Sequence, residues 1–174
     1  MKNLQNLPIG DSSFESIRAN NDLYVDKTRH IFQLISEGRY YFLSRPRRFG
    51  KSLTISTLRC LFQGKKELFK GLWIAENTDW EWKECPVILI DFNNISNDTP
   101  ENLKQSLTEH LLGIARGNNI EFINSLLKGQ FNELILGLNK KNNMPVVILI
   151  DEYDKPIIDH LGKGAKAMET AKAN

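Results

Sequence analysis

Apolar residues along this chain keep two rhythms, and their alternation sets the expected fold. Helical spacing comes first at residues 27–37, where Ile31, Leu34 and Ile35 share a face, Asp26 is the N-cap and Gly38 ends the run. It returns after residue 51, with Leu53, Ile55, Leu58, Leu61 and Phe62 in a stripe that stops at Gly64. Thr99-Pro100 is a cap followed by proline in the first turn, so a helix is expected to about Arg116 with Leu103, Leu107, Leu111 and Ile114 on one face. Two shorter helical pieces are expected at 121–128 and 131–140, a further turn at 65–70 and a single turn near Phe14 and Ile17. The second rhythm is the short continuous apolar run. It occurs at residues 40–44, 86–92 and 145–150, and such runs suit buried parallel strands. Strands alternating with helices predict an α/β fold, a parallel sheet with helices on both faces.

Bulk properties narrow the class. The 174 residues are 41% apolar and 25% charged, with a net charge of +2, which is ordinary for one globular domain. Positive charge is concentrated at residues 45–51. The longest apolar runs are far below membrane-spanning length, and the first residues, MKNLQNLPIG, lack a signal-peptide core, so a cytoplasmic location is expected. Cys60 and Cys85 lie far apart; Cys60, beside Leu58 and Leu61, reads as a buried structural thiol. With His30, His110 and His160 scattered, no zinc site is expected.

The chemistry gathers around residues 39–61. A strand, an arginine-rich loop, Gly50-Lys51-Ser52 and a helix form the context of a phosphate-binding loop. A helix beginning at Lys51 presents unpaired N–H groups and a partial positive charge to an anion. Gly50 lets the backbone approach a phosphate, Lys51 supplies a mobile charge for the terminal phosphates and Ser52 is a ligand for Mg²⁺. The usual motif, G-x-x-x-x-G-K-[ST], has glycine five residues before Gly50; here Arg45 stands at that first position, and Arg45-Pro46-Arg47-Arg48-Phe49 makes a stiffer, more cationic loop. The phosphate-contacting set is therefore Arg45, Pro46, Arg47, Arg48, Phe49, Gly50, Lys51, Ser52 and Leu53.

The second half of the site closes the run at 145–150. An unpaired buried carboxylate is costly, so Asp151 and Glu152 are expected at the open carboxyl edge of a parallel sheet, where ligands bind. Asp151 suits the Mg²⁺ shell beside Ser52, and Glu152 suits the base that orients the attacking water. Asp91 ends the other acid-tipped strand; without a second carboxylate it reads as a supporting or capping residue. Trp80 and Trp82 read as packing residues before a base-stacking pair.

Together these segments resemble the AAA-ATPase-like domain of a bacterial and archaeal group of P-loop ATPases. The matching pieces are Pro8-Ile9-Gly10 with Ser13-Phe14, Tyr24-Val25-Asp26-Lys27-Thr28, the loop from Phe42 through Ser52, Leu68-Phe69-Lys70-Gly71-Leu72, and Leu149-Ile150-Asp151-Glu152-Tyr153-Asp154-Lys155-Pro156. The arginine-rich loop is that group's own form. The resemblance implies a P-loop NTPase fold of the additional-strand, catalytic-glutamate type, with ATP and Mg²⁺ as ligands and residues 24–28 near the nucleotide base. It divides the chain into an N-terminal arm and first helix (1–38), an ATPase core (39–161) and a Lys/Ala-rich tail (162–174). It also implies a truncation after the Walker B strand, because the GKGAKAMETAKAN tail is not the sensor-bearing strand that follows in the related fold. The isolated chain is accordingly expected to bind nucleotide weakly and hydrolyse it poorly. Three functions are open on these residues. They are an ATPase module, a non-hydrolysing nucleotide switch, and a nucleic-acid-binding module using Arg45, Arg47, Arg48 and Lys51 on backbone phosphates, which leaves Asp151 and Glu152 without a role.

Overall fold

The computed structural model describes residues 4–44, 46, 48–161 and 163–174. The fold is α/β, with helices and a small parallel sheet. Two compact units, Met1–Cys85 and Pro86–Asn174, each have their own core.

The first unit is helical. Helix α1 (Phe14–Ala19) is capped by the Ser13 side chain, and its Phe14 and Ile17 are fully buried. It packs on α3 (Lys51–Phe62), which buries Thr57, Leu58, Cys60 and Leu61. Phe14 is the hub, with its ring centroid 4.7 Å from that of Phe69 and 5.0 Å from that of Tyr24. Phe69 in turn meets Trp82, and Phe62 meets Trp80, so both half-buried tryptophans pack against this unit's aromatic residues. Gly64 is required twice over: its φ is +68°, and an added Cβ would lie 2.7 Å from the Trp82 carbonyl oxygen.

Helices α2 (Thr28–Glu37) and α4 (Trp73–Asn77) are joined at their N-termini by one carboxylate. Asp26 accepts the Thr28 N–H on Oδ1 at 2.8 Å and the Trp73 N–H on Oδ2 at 2.7 Å. The buried Thr28 hydroxyl donates to Asp26 Oδ1 at 2.7 Å and accepts the Ile74 N–H at 3.0 Å. Asp26 lies one position ahead of the N-cap, Lys27, and satisfies the first orphan donors of both helices.

The second unit holds the sheet. Strands β1 (Val87–Asp91) and β2 (Val147–Asp151) are parallel and pair Val87 with Val147 through to Asp91 with Asp151. Ile88 and Ile90 are buried with Leu111 and Ala115 of α5 (Pro100–Gly117) and Leu134 and Leu138 of α6 (Leu127–Asn142). The register partners of Ile88 and Ile90 share their face, yet Ile148 and Ile150 remain 39% and 45% exposed. The chain then turns into α7 (Lys155–Ile158) and α8 (Ala165–Ala173).

Two expectations are corrected here. Residues 40–44 form no strand, and Tyr40 and Phe42 are 95% and 70% exposed. An apolar run makes a segment fit for burial, but a strand needs a neighbouring backbone to hydrogen-bond. Here the Tyr41 hydroxyl instead donates to the Leu34 carbonyl, folding the segment back on α2. The two helical pieces at 121–128 and 131–140 are one helix, α6, preceded by a non-helical stretch. Glu133 accounts for that stretch, because its carboxylate accepts the Ile123 and Asn124 N–H groups and holds them off a helical path.

Candidate functional site

In the first unit the Gly-Lys-Ser segment opens α3. Gly50 is the N-cap, in the left-handed conformation at φ 74° and ψ 27°, and no side chain caps the helix. The first backbone bond of the helix runs from the Thr54 N–H to the Gly50 carbonyl at 3.0 Å. The amides of Lys51, Ser52 and Leu53 therefore lie ahead of the helical ladder, where a bound anion satisfies them. Among the described residues, a Cβ built on Gly50 meets nothing within 4 Å, so the turn is open at that residue. Arg48 is also left-handed, at φ 65°. Arg48 and Gly50 thus place two left-handed residues on either side of Phe49, immediately ahead of the helix. Pro46, Arg48 and Phe49 are exposed, Phe49 at 62%, whereas Lys51, Ser52 and Leu53 are half-buried. Arg45 and Arg47 lie outside the described residues.

The helix that carries this turn is held from behind. Ser56 on α3 accepts the Phe14 N–H at 2.9 Å, and Arg18 of α1 donates to the carbonyls of Leu68 and Lys70, each at 2.7 Å. Cys60 sits inside this packing, and burial pushes its thiol pKa up, as expected of an inert structural cysteine. Residues 24–28, expected near a nucleotide base, join α2 to α4 through Asp26 and Thr28 and place Tyr24 against Phe14. An open groove of about 480 Å³ between α2 and α4, lined by Arg29, Phe32, Trp73 and their neighbours, excludes the Gly-Lys-Ser turn.

In the second unit the acids stand at the carboxyl end of β2. Asp151 is 8% exposed, and its Oδ1 accepts the Glu152 N–H at 3.0 Å. Glu152 is half-buried and left-handed, at φ 51°. Its carbonyl accepts the Lys155 N–H at 2.9 Å, which starts α7. Asp91 across the ladder is differently employed: Oδ1 accepts the Asn93 N–H and Oδ2 the Asn94 side-chain amide, both at 2.9 Å. It caps the short 3-10 turn Phe92–Asn94, the supporting role expected of it.

Sequence reasoning missed the backbone signal. Among the described residues six non-glycines have positive φ, and three are asparagines, which tolerate it. Of the other three, Trp82 is packed against Phe69, and Arg48 and Glu152 fall in the two candidate turns. No composition or periodicity rule marks such positions.

The chain belongs to the family described as "Predicted AAA-ATPase", which it matches over residues 8–173. It is also 41% identical over 164 residues to an "Uncharacterized protein in vnfD 5'region" of Azotobacter chroococcum mcd 1, which covers 94% of this chain and 32% of that protein. The chain thus spans about a third of the length of that relative. No solved structure matches it. Among the described residues, no helix is long and apolar enough to cross a membrane.

Proposed function

We propose that this member of the predicted AAA-ATPase family is an ATP-binding module of the P-loop NTPase class, built for hydrolysis of the terminal phosphate. The observation that carries the reading is the left-handed Gly50 turn at the N-terminus of α3, which no side chain caps. That turn suits a polyphosphate. Its amides would hold the phosphate oxygens, with Lys51 neutralising the terminal group and Arg48 adding charge at the rim.

The donor set also fits Mg²⁺. Taken separately, Ser52 in the first turn of α3 offers a hydroxyl, and Asp151 offers carboxylate oxygen Oδ2, which receives no hydrogen bond among the described residues; each is the kind of oxygen the ion takes. When bound, the ion would draw charge from the phosphate oxygens. Glu152 is the group we assign to orient the attacking water and take its proton, since it follows Asp151 directly and is only half-buried. Asp91, with both carboxylate oxygens engaged, is the weaker candidate for either task.

The test is Mg-ATP binding and turnover by the chain beside Lys51→Ala and Glu152→Gln. The expected result is Mg²⁺-dependent binding lost in Lys51→Ala, and a slow turnover lost in Glu152→Gln with binding kept. Binding without turnover would leave a nucleotide switch in place of an ATPase. Absence of nucleotide binding at every Mg²⁺ concentration would overturn the proposal, and salt-sensitive binding of single-stranded DNA without Mg²⁺ would favour the basic loop as a nucleic-acid contact.

A further inference from the structure

The second unit contains a polar cluster that the assigned chemistry does not use, centred on Asn97 in the loop between β1 and α5. Asn97 is 7% exposed. Its Nδ2 donates to Asp159 Oδ2 at 3.1 Å, and the same oxygen takes Lys155 Nζ at 2.6 Å. Its backbone carbonyl accepts from His160 Nε2 at 2.7 Å and from the Asn174 side-chain amide at 3.0 Å. The Asn174 amide also reaches the Pro156 carbonyl at 3.2 Å. One buried residue in that loop therefore meets the end of α7 directly, its first turn through Asp159, and Pro156 through Asn174.

That helix begins directly behind Glu152, whose carbonyl is bonded to the Lys155 N–H. A glutamate at φ 51° is in an unfavourable conformation and persists only where its surroundings over-determine it. Lys155–Asp159 alone is weak restraint, since both side chains are 31% exposed. The buried Asn97 amide converts it into a three-membered network of Asn97, Lys155 and Asp159.

We propose that Asn97 is a positioning residue for the Asp151–Glu152 turn: by clasping Asp159 and His160 it fixes α7, and α7 fixes the left-handed Glu152. The proposal rests on the assignment of Glu152 above. Misplacing a catalytic group by about 1 Å costs up to roughly a hundredfold in rate. Loss of the clasp is therefore expected to act on turnover, while the phosphate loop keeps its affinity.

The experiment compares Asn97→Ala, Asp159→Asn and the swap Asn97→Asp with Asp159→Asn in the full chain. The expected result is kcat lowered about 10- to 100-fold in the single variants, with the Kd for Mg-ATP within about threefold of the parent. The swap, which restores an amide–carboxylate bond of reversed polarity, recovers most of the rate. Amide hydrogen exchange gives a readout independent of turnover: the amides of Lys155 and 157–160 exchange faster in the single variants, while those of Ile88–Ile90 stay protected. If Asn97→Ala fails to fold, Asp159→Asn, which keeps the side-chain shape at a half-exposed site, carries the same comparison. Unchanged exchange in α7 overturns the clasp. Faster exchange with unchanged kcat, or kcat and affinity falling together, overturns the positioning role. A parent chain with no turnover defeats the assignment of Glu152 instead, and exchange alone then decides whether Asn97 holds the turn.

Discussion

Asp91 and Asp151 are register partners at the carboxyl end of the parallel ladder, and each closes the same pentapeptide, Val-Ile-Leu-Ile-Asp. Identical local sequence has produced two different acids. Asp91 gives both oxygens to the turn that follows it, whereas Asp151 is buried and, among the described residues, accepts the Glu152 N–H on Oδ1 alone. The β1 copy buries its isoleucines under α5 and α6, and the β2 copy buries Leu149 and Asp151.

The two acids should respond differently to the same change. Asp151→Asn is expected to lower ATP turnover by about 100-fold or more, the range for a lost charge at a phosphoryl-transfer centre. Asp91→Asn should leave turnover within a few-fold and cost about 0.5–1 kcal/mol through a weaker cap. Turnover and urea midpoints of both variants check this; equal effects on rate would remove the distinction between them.

Glu152 should trade stability for function. A left-handed non-glycine costs roughly 1–2 kcal/mol, and glycine gives back roughly 0.5–1 kcal/mol in chain entropy. Glu152→Gly is therefore expected to stabilise the chain by about 0.5 kcal/mol while abolishing turnover. Glu152→Gln abolishes turnover at unchanged stability. Chemical denaturation of the two variants separates backbone strain from carboxylate chemistry, and a destabilised glycine variant would contradict the strain argument.

Asp26 should matter beyond its exposure. Its two oxygens satisfy donors at the N-termini of both α2 and α4, so Asp26→Ala is expected to cost about 2 kcal/mol, the sum of two caps. Thr28→Val removes the acceptor of the Ile74 N–H and should cost about 1–3 kcal/mol for the buried donor left behind. Measured urea midpoints near the parent value for both would show that the junction is dispensable.

Acid should weaken the clasp. The Lys155 ammonium foremost, then the Asn97 amide, holds the Asp159 carboxyl below its usual range. The Lys65 hydrogen bond does the same for Glu15. A carboxyl whose folded pKa is depressed adds stability above its unfolded value and loses it as pH falls through the folded one. Stability is thus expected to be level near neutrality and to fall below about pH 4. Asp159→Asn should make that fall shallower, and identical acid profiles for parent and variant would exclude the contribution.

The helices α2, α3 and α5 and the two apolar strands were legible along the chain, because they rest on patterns within a few residues. Capping at Thr99-Pro100, the stripe ending at Gly64 and the apolar runs before Asp91 and Asp151 are all of this kind. Tertiary structure decided what depends on partners distant in sequence. An apolar pattern cannot name the strand beside it, so the ladder of Val87–Asp91 with Val147–Asp151 and the exposure of residues 40–44 emerged only in three dimensions. The left-handed Arg48 and Glu152, the double cap at Asp26 and the clasp on Asn97 were invisible for the same reason. At Asp26 and Asn97 the partners are groups that the fold, and not the neighbouring sequence, brings within hydrogen-bonding reach.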